Sequence, residues 1–158
     1  MSSSIKLPVM FFVAMIVQWW WSTHGIIWGL AQQLLLVLTV AVAARYGAIR
    51  AMFMGFFWGR FLDMLAGRLF GAQALALTLV AFGTGSARRQ IDLLGIGSQC
   101  VTVFCMTLAY FVLIGLLGLV FLKTFLWVGW APFLFDPIYN CLVMALLFVF
   151  WDPVLERR

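Results

Sequence analysis

Arg60 and Asp63 stand three residues apart in GFFWGRFLDMLAG, residues 55–67, a run otherwise built of apolar residues and glycine. On a helix that spacing puts both side chains on one side, where a guanidinium can neutralise a carboxylate. A third isolated carboxylate, Asp136, sits in APFLFDPIYN. Ionisable groups among apolar helices serve as packing pins, as proton relays or as contacts for a charged solute. The pattern of Arg60, Asp63 and Asp136 leaves all three roles open. It does not suggest covalent chemistry: there is no phosphate-cradling glycine loop, no HExxH pair and no nucleophile elbow. Cys100, Cys105 and Cys141 each lie in apolar runs without a CxxC pair, and His24 is the only histidine. No metal, cofactor or enzymatic activity is expected.

Those charges must be carried by helices in lipid. Of the 158 residues, 66% are hydrophobic and 9% are charged, against about a quarter charged in soluble domains. A chain this short cannot hide that much apolar surface from water, so an all-α integral membrane protein is expected. The net charge of +5 fits basic loops on an anionic leaflet, not nucleic acid. Hydrophobic runs near residues 6–22, 26–44, 50–67, 70–86, 99–122 and 132–151 predict six transmembrane helices in a single domain spanning 1–158. The first run resembles a secretory signal but ends in Trp19, Trp20 and Trp21, an interfacial belt, and is expected to be retained.

Basic residues test whether the charged third run crosses. With six spans and the N-terminus inside, Lys6, Arg45, Arg50, Arg88, Arg89, Arg157 and Arg158 are cytoplasmic, and only Arg68 and Lys123 lie outside. If the third run stays on one side, Arg88, Arg89, Arg157 and Arg158 move out and the asymmetry vanishes. Six spans with both termini inside are therefore expected, with Arg60 and Asp63 within the membrane. A lone charge at the bilayer centre costs about 2.5–3.5 kcal/mol, so an Arg60–Asp63 ion pair is expected.

Gly55, Gly59, Asp63, Gly67 and Gly71 recur at intervals of four; the first four form one stripe on the third helix, and Gly55, Gly59, Gly67 and Gly71 are expected to serve as its helix-packing glycines. Small residues at this spacing admit a second helix closely, so Asp63 should face protein. Helical rise puts Arg60 roughly 15 Å and Asp63 roughly 20 Å from the inner edge. Asp136 starts roughly 6 Å below the opposite edge of a ~30 Å core, a depth that permits an Arg60–Asp63–Asp136 cluster. Gln18, Gln32, Gln33, Gln73, Tyr110 and Asn140 are further polar residues in the spans, with no sign in the sequence that they converge. Gly115 and Gly118, and Gly25 and Gly29, extend the small-residue theme and suggest close helix packing. SARRQIDLLGIGS, residues 86–98, reads as an amphipathic turn whose Arg88 and Arg89 face the cytoplasm, against anionic lipid or a partner.

The stretch from Gly55 to Phe82 resembles the rod shape-determining protein MreD family. The residues that carry the resemblance are Gly55, Phe56, Gly59, Asp63, Phe70, Gly71, Ala74 and Leu75. Chain length, six expected spans and a basic C-terminus agree with it. Arg60 departs from the family, which usually has an apolar residue there, so the resemblance assigns Arg60 no role. It implies a non-enzymatic scaffold subunit of the cell-elongation machinery in the bacterial inner membrane. The implied partners are an MreC-like membrane protein and, more widely, a RodA-like glycosyltransferase, a penicillin-binding transpeptidase and MreB filaments.

The family is similar in fold to the S components of vitamin uptake transporters. That supplies the alternative, a membrane component binding a small molecule in an outward-facing cavity. S components usually carry AxxxA on the first helix, and here Ala14 is the only alanine in that span.

Overall fold

The computed structural model describes residues 3–24, 34–66, 70–93, 95–127 and 129–155. Among these are six helices and no strand: α1 (Ser3–His24), α2 (Leu34–Tyr46), α3 (Ala48–Ala66), α4 (Ala72–Ala87), α5 (Ile96–Leu122) and α6 (Trp130–Leu155). They coincide with the six expected runs to within a few residues wherever the chain is described. Two of them, Ile96–Leu122 and Trp130–Val149, are long and apolar enough to cross a membrane. Only 33% and 22% of their most apolar windows are buried inside the protein, so most of that apolar surface faces outward, unlike the core helix of a soluble domain.

At the centre lies α2, LLLVLTVAVAARY, in which every residue from Leu35 to Ala44 is buried. Apolar on every side, this helix touches each of the other five. Its one buried hydroxyl, on Thr39, returns to the Leu35 carbonyl at 2.7 Å. By contrast the described part of α1 turns Phe11, Ala14, Met15 and Gln18 inward and leaves Val9, Phe12, Val13, Ile16 and Val17 exposed. That inward side meets α3 through Trp58, fully buried, whose ring stacks on Phe11 at 5.6 Å. The Trp58 indole N–H donates to the Phe11 carbonyl at 3.4 Å.

The closest helix pair is α3 with α4. A Cβ on Gly59 would lie 2.2 Å from the Ala74 Cα and 2.4 Å from its nitrogen. One on Gly55 would lie 3.0 Å from the Leu77 oxygen, and one on Gly85 would lie 2.3 Å from the Ala48 Cβ. The three contacts share one antiparallel register, so the helices touch backbone to backbone along their length. The Gly55, Gly59 and Asp63 stripe is therefore a packing surface, as its spacing predicts. Gly67 lies outside the described residues, as do Gly25, Gly29, Gln32 and Gln33.

Two expectations about glycine need correcting. Gly71 is not part of the packing stripe: nothing lies within 4 Å of its would-be Cβ, and it sits at φ +95° as the residue before α4. Its role is conformational, because that left-handed geometry suits glycine. Gly115 and Gly118 do not receive another helix. The Phe125 ring and Leu126 side chain fold back onto them, where Cβ atoms would lie 2.5 Å away. Residues 123–127 thus lie over the end of α5, held by a Phe125–Trp127 stack at 6.2 Å and a Trp127–Phe133 contact at 5.5 Å.

Candidate functional site: a buried polar line across four helices

Asp63 is 2% exposed, and backbone amides satisfy its carboxylate. Gly71 and Ala74 donate N–H to Oδ2 at 2.9 and 3.3 Å, and Gln73 donates to Oδ1 at 3.0 Å. The first amides of a helix have no partner within it, and an anion there also meets the positive end of the dipole. Asp63 supplies that anion from the preceding helix, so α3 caps α4. Gly71 opens the chain into the cap and Gly59 brings the two helices near enough for the aspartate to reach. Gly55, Gly59, Asp63, Gly71 and Ala74 thus gather at this one junction.

The expected Arg60–Asp63 ion pair is not formed. Among the described residues no ion pair joins Arg60 to Asp63 or to Asp136, and the three-charge cluster is absent. Arg60 is half-buried and holds its guanidinium carbon 4.6 Å from the Phe70 ring centroid. Three amides already meet the need that the ion pair was expected to meet, and a ring face offers Arg60 an alternative partner. We expect Arg60→Leu to cost no more than about 1 kcal/mol, the scale of one exposed cation–π contact. Its effect should add independently to that of Asp63→Asn in a double-mutant cycle of thermal stability. A coupling above about 1 kcal/mol would restore the ion pair.

Polar residues that looked scattered in the sequence converge. From Asp63 the line passes to Gln73, which gives its N–H to the aspartate and accepts the Tyr110 hydroxyl at its Oε1. On α5, Thr107 lies one turn from Tyr110 and donates to the Val103 carbonyl at 2.8 Å. Thr107 Oγ1 accepts the amide of Asn140 at 3.1 Å. Four residues earlier on α6 is Asp136, 4% exposed, its carboxylate reached by no hydrogen bond or ion pair among the described residues. Asp63, Gln73, Tyr110, Thr107 and Asn140 therefore join α3, α4, α5 and α6 through bonds, and Asp136 flanks the end of that line. The linear signal was modest: Asn140 follows Asp136 by four, and Thr107 precedes Tyr110 by three in an otherwise apolar helix. Neither spacing says which helix each would face.

Other polar groups are spent locally. Cys100 and Cys141 give S–H to each other's carbonyl at 3.7 and 3.2 Å, fastening α5 to α6. Gln99 donates to the Leu93 carbonyl at 2.8 Å, and Ser98 to the Asp92 and Gly95 carbonyls. These bonds pin Asp92, Leu93 and Gly95 to the start of α5, with Leu93 buried. Ile91, Arg88 and Arg89 stay exposed, and the Arg88 Nη1 atom reaches the α2–α3 corner, 3.6 Å from a would-be Cβ on Gly47.

A cavity of about 20 Å³ is lined by Phe111, Val112, Phe125, Leu126, Trp127, Gly129 and Phe133. It is apolar and water-sized, and it does not include the polar line. No family model, curated protein or solved structure matches the chain.

Proposed function

We propose that the chain is a multi-pass scaffold subunit of the bacterial cell-elongation machinery, which binds an MreC-like partner by helix packing. In this reading all six helices cross the inner membrane, and both termini are cytoplasmic. The outward surface supports a lipid environment: Phe53, Phe56, Phe57, Leu79, Phe82, Val120 and Val149, among others, are more than 40% exposed. Apolar surface on that scale is rare on a soluble monomer.

The observation that carries the family reading is the α3–α4 junction. Residues that resemble the MreD pattern by sequence form one physical unit, a glycine crossing with a carboxylate cap. Their roles are architectural, which suits a protein that works by presenting helix surfaces. The vitamin-transporter alternative is less well supported. Ala14 is 4% exposed and turned into the bundle, where it cannot dock an outside partner.

Affinity purification of the tagged full chain in mild detergent, followed by mass spectrometry, tests the proposal. MreC-like and RodA-like proteins are the expected recoveries. A paired ATPase with a bound vitamin would replace the scaffold reading with the transporter one. Labelling of single cysteines near residue 68 and at the 88–89 turn should place them on opposite membrane faces. A common face would remove the six-span topology.

A further inference from the structure

Donor counting around Asp136 leaves a deficit. Thr107 has one hydroxyl hydrogen, committed to the Val103 carbonyl, so its oxygen must accept from Asn140. This fixes the Asn140 amide with its nitrogen toward Thr107 and turns Oδ1 away from it. Asn140 is 1% and Asp136 4% exposed; no donor among the described residues reaches Asn140 Oδ1 or either Asp136 carboxylate oxygen, and these oxygens keep a narrow opening to the protein surface. Pro137 adds a further acceptor in the same turn. It has no N–H, so the Phe133 carbonyl loses its helical partner while α6 continues through. Oxygens of Phe133, Asp136 and Asn140 thus lie within two turns of one helix, all short of donors.

An unpaired carboxylate that opens only narrowly from an apolar bundle is costly without a positive charge or a proton. Of the basic side chains described, Arg50, Arg88, Arg89 and Lys123 are exposed, and the other two have ring partners. Arg60 lies over Phe70, and Arg45 lies over Phe148, about 18 Å further along α6 by helical rise. Of the other ionisable groups on α2 and α5, the helices packed against α6, Tyr110 gives its proton to Gln73, Cys100 gives its own to the Cys141 carbonyl, Cys105 is exposed, and Tyr46 ends α2 beside Arg45. Asp63 needs no such charge, because three amides serve it. Burial of Asp136 to 4% exposure restricts the missing group to something small.

We propose that the Phe133–Asn140 turn of α6 binds a small monovalent cation, a proton or a sodium ion, at Asp136. A proton on Asp136 gives the carboxyl a donor for a neighbouring oxygen. A sodium ion is coordinated by the carboxylate, the Asn140 amide oxygen and the freed carbonyl, all hard oxygen ligands. The inference rests on α6 crossing a membrane. It does not depend on which partner the protein binds, so its failure would leave recovery of MreC-like proteins untouched.

Three measurements on the full chain in lipid nanodiscs decide it. Wild-type protein in sodium-free choline buffer at neutral pH is treated with a hydrophobic carbodiimide, which reacts with protonated carboxyls, and the adduct is mapped by mass spectrometry. Infrared spectra are recorded in the same buffer for wild type and Asp136→Asn, and retention of radioactive sodium is measured for both. For a proton, the adduct maps to Asp136 and not Asp63, and a carboxylic-acid carbonyl band is present that Asp136→Asn lacks. For sodium, about one ion per chain is retained, protects Asp136 from the reagent, and falls to background in Asp136→Asn. An ionised Asp136 in choline, with no adduct there and no sodium retained by wild type, overturns the proposal. These wild-type readings stand even if the variant does not fold.

Discussion

Gly59→Ala is expected to keep α3 and α4 from closing. A methyl group at this position would lie 2.2 Å from the Ala74 Cα and 2.6 Å from the Gln73 carbonyl carbon. Both are backbone atoms, which cannot rotate aside. Alanine gains up to about 1 kcal/mol over glycine in helix propensity. Forcing atoms into a packed interior typically costs about 1–3 kcal/mol, and a clash of two backbones belongs at or above the upper end. The steric term therefore decides the sign. It also lengthens the reach from Asp63 to the α4 amides, so the cap weakens with it. Gly55→Ala should be milder, because its Cβ would meet the Leu77 oxygen at 3.0 Å and the Thr39 methyl at 3.3 Å, a tight approach where Gly59 has an overlap. Thermal unfolding in detergent should rank wild type, Gly55→Ala and Gly59→Ala in that order. Equal melting of Gly59→Ala and wild type would mean that the helices do not touch there.

The second large effect is at Asp63. Leucine removes every acceptor from the amides of Gly71, Gln73 and Ala74, and each buried donor left unpaired costs about 1–3 kcal/mol. Little folded protein should be recovered from Asp63→Leu. Asparagine keeps one oxygen, which can go on serving Gly71 and Ala74. Its NH₂ then replaces the oxygen that accepts from Gln73, so donor meets donor. Asp63→Asn should therefore fold with a loss of about 1–3 kcal/mol, the scale of one charged hydrogen bond. Fluorescence-detected size exclusion, with the level of inserted protein, separates the two variants. Equal yields and melting temperatures would remove the capping role.

The sequence located helices well because composition and run length decide them, and the glycine stripe pointed to the right face of α3. The Arg60–Asp63 pairing was misjudged for a physical reason. Helical spacing shows which side chains can meet, not which partner wins. Three amides at the start of the next helix were the better partners, and nothing in the string marks an amide as unsatisfied until the turn at Gly71 is known. The packing roles given to Gly115 and Gly118 failed similarly, since a connection folding back over its own helix has no periodicity to read. The convergence of Gln73, Tyr110, Thr107 and Asn140 was hidden because it depends on the relative rotation of three helices.

The enclosure of α2 bears on how the chain is made. This segment leaves the ribosome before any of α3, α4, α5 or α6, yet its inward-facing surfaces are completed only by them. Until the last hairpin arrives, a helix shaped to fit protein on every side must rest against lipid or an insertion factor. Assembly is then a late, concerted closing around an early guest, and cellular surveillance has a ready mark of an unfinished copy in an α2 still open to the bilayer.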